Sequence, residues 1–366
     1  MEVWQVKLKT LAGALTEVVD AYAAFSLRRQ VNSPGAFALR FAKRADETQT
    51  EFETRCGRWV LDAQVEFWQR NADYSLAWRL EFEGLVRWQE WYVTTAGALV
   101  YEVGGVGYVD LLARRIITAT AGSAGGSKSD PAETVMKEWV LEQVGASAGA
   151  GRVTTGLSIE ADGANGNTVT MGRSYKGVLG VLQEVASIGG GDFDVVGTGP
   201  ATCEFRWYTG QRGTDRTASV IFALERGNMA EPSLRVARQN EVNAVLVAGQ
   251  GSGAARELVW RTDATLIDDS TWNRCELFRD ARNESATAGL NSVGDGALEE
   301  AKPRWSIGFK VLQTPAYAYG VHYFLGDLVT AKFMTYSGTK KINAVSVAVN
   351  DGGMSEIIKM VEMEDV

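Results

Sequence analysis

Gly249, Gly251 and Ala254 stand at the spacing G-x-G-x-x-A directly after the β-branched run of residues 242–248, and Asp268 and Asp269 follow at the distance of a ribose-binding acid. In a dinucleotide enzyme those glycines open a helix whose N-terminus holds the pyrophosphate inside a βαβ unit. Here residues 256–262 read RELVWRT, which suits a second strand. No regular alternation of strand with helix surrounds them. The stretch therefore reads as strand, bend, strand, and no cofactor is expected.

Asp192 and Asp194 lie two residues apart on one expected strand, so their carboxyls share a face and a glycosidase-type pair is conceivable. Neighbouring residues offer nothing that would separate their acidities, and the bland reading is a pair of solvated strand ends. His322 is the single histidine. HExxH and other multi-histidine zinc sites are thereby excluded, and a Ser-His-Asp or Cys-His arrangement would have to use this one ring. Its setting, YGVHYFLGD at the entrance of an apolar strand, suits a packed or surface imidazole. Cys56, Cys203 and Cys275 are far apart and odd in number, which fits neither a disulfide framework nor a zinc site. The expectation is no catalytic, cofactor-binding or metal-binding residue, with Asp192, Asp194 and His322 serving structure; the chain is read as not an enzyme.

The elements that would position any site come from composition and pattern. The 366 residues are 45% hydrophobic and 22% charged, enough for several domains with real cores. Forty glycines against six prolines, with 35 aromatic residues (11 Trp, 11 Tyr, 13 Phe), match strands and turns better than helical bundles. The net charge of −8 and pI near 5.0 argue against a surface that grips nucleic acid. No charged-then-apolar leader and no apolar run of roughly 18 residues is visible, so a soluble protein made in the cytoplasm, without membrane insertion, is expected.

Residues 3–118 alternate as antiparallel strands, with Asn32-Ser-Pro-Gly35 as a turn. Five tryptophans fall between Trp59 and Trp91; they suit cross-strand packing more readily than a sugar-stacking face. Residues 118–129 read as a linker or exposed loop. Asp130-Pro131-Ala132-Glu133 then supplies an N-cap, a first-turn proline and a capping-box acid for a helix that Gly145 would close. A second helix spans about 174–187, a glycine-weakened one 284–302, and Asn350-Asp-Gly-Gly353 marks a hairpin.

Taken together and in order, Leu112-Ala-Arg-Arg-Ile116, Gly190-Gly-Asp-Phe-Asp-Val-Val196, Gly210-Gln-Arg-Gly-Thr-Asp-Arg-Thr217, Glu225-Arg-Gly-Asn-Met-Ala-Glu-Pro232, the stretch from Glu241-Val-Asn to Ala248-Gly-Gln-Gly, and Tyr319-Gly-Val-His-Tyr-Phe-Leu-Gly-Asp-Leu-Val329 resemble the tail-tip or baseplate hub proteins of siphophages of Gram-positive bacteria. The resemblance implies a mainly β chain with α+β peripheral domains. Two tube-type β-barrel domains per subunit would form a pseudo-sixfold ring in a homotrimer. On that scheme residues 1–117 are the first tube domain, 118–218 a peripheral α+β domain, 219–255 with 307–366 the second tube domain, and 256–306 an inserted peripheral domain. The partners implied are a distal tail protein, the tape measure protein and tail-tip, fibre or receptor-binding proteins, with phage DNA passing through the lumen. The location implied is the tail tip of the virion. Two other readings stay open: a cell-wall-degrading tail enzyme, and a glycan-binding module built on the Trp59–Trp91 cluster.

Overall fold

The computed structural model describes residues 2–19, 22–118, 126–284, 286–302, 305–350 and 356–365. The first block contains β1 (Glu2–Lys9), β2 (Leu15–Val19), β3 (Ala24–Gln30), β4 (Ala36–Ala42), α1 (Gln49–Cys56), β5 (Gln64–Asn71), β6 (Arg79–Val93) and β7 (Leu99–Gly107). Period-two patterning governs it: Phe37, Leu39 and Phe41 of β4 point into the core while Ala36, Arg40 and Ala42 face out. Helix α1 interrupts what the alternation suggested was continuous sheet. Thr48 and Glu51 form a reciprocal capping box at its start, and Phe52 and Cys56 bury its inner face.

The second block holds α2 (Asp110–Ala113), β8 (Gly126–Pro131), α3 (Ala132–Gln143), β9 (Leu157–Ile159), β10 (Thr168–Arg173), α4 (Val178–Gly189), β11 (Gly191–Gly199) and β12 (Thr202–Thr209). Its core joins Trp139 and Val140 of α3 to Leu182 and Val185 of α4 and to Phe193 and Phe205 of the sheet. The expected 118–129 loop is corrected in part. Residues 126–129 belong to β8, which pairs antiparallel with β10, and residues 119–125 lie outside the described residues. The expected cap also differs. Asp130 is a strand residue paired with Val169, Pro131 takes the N-cap position without a side-chain cap bond, and Glu133 turns inward to Lys137 (2.5 Å) and the Asn165 backbone N–H (3.0 Å). Val144, one residue before Gly145, is the C-cap.

The remainder runs β13 (Ile221–Ala223), β14 (Met229–Val236), β15 (Ala244–Ala248), β16 (Leu258–Thr262), α5 (Ala264–Asp268), β17 (Glu276–Asp280), α6 (Thr287–Glu300), β18 (Trp305–Val311), β19 (Leu328–Phe333), β20 (Tyr336–Asn350) and β21 (Glu356–Asp365). Across the boundary expected at 255/256, β15 is hydrogen-bonded to β16 and β17 of the segment that follows rather than to the large sheet. Helix α6 covers one face of that small sheet. The glycines that weaken it in sequence serve its packing, since a Cβ on Gly294 would stand 2.4 Å from Arg261 Cγ and 3.1 Å from Val247 Cγ2. β14 and β18 pair at the entry and exit of the insertion.

The first block and the C-terminal strands form one eleven-stranded sheet, ordered β13-β19-β20-β3-β4-β7-β6-β5-β1-β2, with β21 on β20. β20 is the weld. Its first half pairs with β19, its second half with β3, and β21 pairs along it from residue 340. A single apolar core under this sheet runs from Val6 and Phe67 through Phe25 and Val347 to Phe222 and Val329. The hairpin signal Asn350-Asp-Gly-Gly353 falls between β20 and β21, with residues 351–353 outside the described set. At one end of the sheet the short β13 is closed off by Asn228, whose side chain accepts from the Ala223 N–H (2.9 Å) and donates to the Ile221 carbonyl (2.8 Å).

Candidate functional site

The fold collects charged side chains where the second block meets the large sheet. β11 carries Asp192 to full burial beside the β3–β4 turn and β20. One carboxylate oxygen accepts from Asn32 Nδ2 (3.0 Å) and Lys341 Nζ (2.6 Å), the other from the Arg212 backbone N–H (2.7 Å). Asn32 returns a bond by accepting from the Phe193 N–H at 2.7 Å, which its left-handed backbone (φ 55°) makes possible. Asp194 is ion-paired with Arg212 through Nε (2.8 Å). Asp192 is thus a buried clamp, correcting the expectation of a solvated strand end. The extended strand and its turn were foreseen; the sheet wall that closes over them was not.

A second knot lies along the same junction. Glu81 of β6, fully buried, accepts from Arg29 Nη1 (3.0 Å) and Tyr319 Oη (2.5 Å) and is ion-paired with Arg79. Burial penalises its charge, but Arg29 and Arg79 outweigh that and hold the carboxyl below its ordinary value. The same pairing raises Arg29 despite burial, while burial and then Glu81 push the Tyr319 phenol up. Nearby, Glu83 accepts from the Gly197 backbone N–H, with its acidity weakened first by burial. A cleft of about 220 Å³ runs here, with Arg29, Glu81, Asp194 and Arg212 in its walls. Asp327 ties the next loop in, accepting from the N–H groups of Thr214 (2.7 Å) and Phe324 (2.8 Å) and from Arg216 Nε (2.6 Å). Such a network fixes the blocks against one another; its carboxylates draw their donors and ion-pair partners from inside the protein, Glu81 Oε2 meeting only the Arg79 ion pair among the described residues.

His322 stands apart from both aspartates. It precedes β19 in an irregular loop, its Nδ1 accepts from the Ala318 N–H (3.0 Å), and its ring meets Tyr74 edge-on at 5.5 Å. Gly249, Gly251 and the residues between form a bend from β15 into the antiparallel β16, closed by the Gly249 N–H to Glu257 carbonyl bond (2.9 Å). Asp268 ends α5 and Asp269 is ion-paired with Arg238. Burial pushes the Cys56 and Cys203 thiols up to about 12, away from nucleophile chemistry. Among the described residues no group of three or more His, Cys, Asp or Glu is placed to hold a metal, and no helix is long and apolar enough to cross a membrane.

The Trp59–Trp91 cluster is dispersed. Trp59 is core, tilted against Phe41; Trp68 lies under Lys7 and donates to Glu66; Trp78 lies under Arg70; Trp88 covers Gly104; and Trp91 packs on Phe52 and Tyr101. Of the residues that make the junction, Arg212 and Tyr319 lie in segments singled out in the sequence. Glu81, Arg29 and Lys341 gave no signal, because a charge on a strand declares burial only once the opposing wall is known.

A family model described as Siphovirus ReqiPepy6 Gp37-like protein matches residues 1–359. The chain belongs to this family. No curated protein matches the Gp37-like chain in sequence. In structure it is similar to the 43 kDa tail protein of prophage MuSo2 from Shewanella oneidensis (12% identity, TM-score 0.56, all of both chains covered). It is also similar to prophage tail protein gp18 from Listeria monocytogenes EGD-e (10% identity, TM-score 0.54, covering 98% of this chain and 94% of that one). A chain of the Francisella PdpA–VgrG complex matches with 7% identity and TM-score 0.53, over all of this chain and 52% of the other. The Gp37-like chain therefore has the fold of phage tail proteins along nearly its whole length.

Proposed function

We propose that the chain is a structural virion protein of a siphophage tail, the hub at its distal end. Three copies form a ring that continues the tail tube, joins the distal tail protein and tape measure protein to tip, fibre or receptor-binding proteins, and lets DNA pass during ejection. In this reading the two strand blocks are the tube domains, and the α+β block and the inserted segment, which begins ahead of β15, are peripheral. The observation that carries it is β20, which makes both strand blocks one sheet over one core and so suits a rigid wall rather than domains that open and close. The sheet's far end supports assembly. β13 is capped by Asn228, whereas β2, paired with β1 alone among the described residues, keeps an outer edge for a neighbour.

The outward face of β3, β4, β7 and β20 suits a wall past which a duplex slides. It carries Ser26, Ala38 and Ser346 with Trp88 lying over Gly104, and its arginines Arg28 and Arg40 are paired with Glu362 and Glu102. Uncompensated lumenal arginines would bind phosphate by counterion release and retard it. Light scattering on the purified chain and a map of the assembled tail tip test the proposal. Three copies around an axis with small and paired-charge residues inside are expected; a monomer or dimer in the assembly overturns the ring, and arginine clusters facing the axis overturn the conduit.

A further inference from the structure

The sheet β16-β15-β17 has two unlike faces. Val245, Val247, Val259 and Leu277 lie under α6. On the other face Trp260 and Phe278 both pair with Leu246 of the central strand, one from each side, and remain 47% and 54% exposed. Two inter-strand spacings therefore set the backbone positions that carry the rings roughly 10 Å apart. Each ring carries the same attendants. Arg274 lies over Trp260 (5.7 Å) and is bonded to Glu276 (2.7 Å); Arg256 lies over Phe278 (5.8 Å) and is ion-paired with Asp280. Arg256 is further fixed by donating to the carbonyls of Gly249 (3.0 Å) and Ala248 (2.9 Å), so its plane is set before any ligand arrives.

We propose that this face binds a linear polysaccharide of β-linked hexoses, with alternate sugars stacked on Trp260 and Phe278 and their hydroxyls bonded by the Arg274–Glu276 and Arg256–Asp280 pairs. A ring, a guanidinium and a carboxylate, repeated once at a span that two linked hexoses cover, match a ligand that itself repeats. The flat apolar face of a hexose suits an aromatic ring, and its hydroxyls both donate and accept, which a paired arginine and carboxylate can serve together. The charges favour a neutral polymer. Arg274 is paired with Glu276, Arg256 and Arg282 share Asp280, and the chain as a whole is acidic, so these pairs leave at most one cation uncompensated, too few for a polyanion.

The test titrates the full chain with N-acetylglucosamine hexamer and with cellohexaose by calorimetry, and measures retention on insoluble chitin. Saturable binding of at least one probe is expected, weakened roughly tenfold by Trp260→Ala and by Phe278→Ala and retained by Trp260→Phe. Because an alanine variant could fail to fold, Glu276→Ala, at an exposed pair on the rim, serves as a second reading and is expected to weaken binding while leaving the circular dichroism unchanged. Absence of binding to both probes, binding indifferent to Trp260, Phe278 and Glu276, or a protein subunit seated on these rings in the assembled tail overturns the proposal.

Discussion

Two of the buried carboxylates that fasten this molecule, Glu81 and Glu284, are held in opposite ways. Glu81 sits between the two strand blocks with Arg29, Arg79 and Tyr319 around it, and its carboxyl is more acidic than usual. Glu284 sits between the α+β block and the inserted segment, bonded to the Gly172 backbone N–H and to Arg173 Nη1 (3.2 Å), a guanidinium it shares with Glu184. Burial makes its carboxyl less acidic than usual, with the Gly172 N–H and Arg173 only partly opposing. Burial costs both groups; the number of undivided positive partners decides whether the charge is then favoured. One junction is welded, the other is merely closed.

The largest effect is expected at the weld. Glu81→Ala leaves Arg29 buried without its carboxylate and should cost about 3–5 kcal/mol in denaturant unfolding; a loss below about 1 kcal/mol would show that water, not Glu81, neutralises the arginines. At the clamp beside it, Asp192→Asn keeps the shape but removes the charge that Lys341 and the Arg212 N–H address. A loss of about 1–3 kcal/mol is expected, with faster amide exchange at Phe193 and Arg212; unchanged exchange would mean that the second block is held by apolar packing alone.

Titration sharpens the contrast between the two glutamates. The Glu81 carboxyl is depressed in the folded state, so its contribution is present above the unfolded value and disappears as pH falls through the folded one. The Glu284 carboxyl is raised, so its contribution is complete below the unfolded value and is lost as pH rises through the folded one. Glu284→Gln should therefore raise the unfolding midpoint near neutral pH and leave it unchanged in acid, read by thermal melts across pH; a lower midpoint at neutral pH would show that the Gly172 and Arg173 bonds need the charge. The smallest effect is expected at Gly180 on α4, which lines the cleft of about 530 Å³ between α4 and α6 and has open space where its Cβ would stand. Gly180→Ala should gain about 0.5–1 kcal/mol from helix propensity. Destabilisation there would mean that the inserted segment closes onto α4 in solution.

What the residues announced on their own was whatever local pattern controls. Alternation gave the strand-rich first block, helical spacing gave a helix over about 174–187 that the structure places at Val178–Gly189, and the strand pattern after β15 removed the nucleotide reading. Even α1, which was passed over, was announced by its Thr48–Glu51 capping box. The single histidine and scattered cysteines likewise limited the chemistry before any coordinates. Tertiary structure alone decided which strands share a sheet, which charges are buried and which rings stay exposed. β15 looked like part of the second strand block until its hydrogen bonds went to β16 and β17, and Asp192 looked solvated until Asn32 and Lys341 closed over it. The reason is physical: periodicity fixes which side chains share a face, but whether that face meets water, α6 or a buried lysine depends on partners far along the chain.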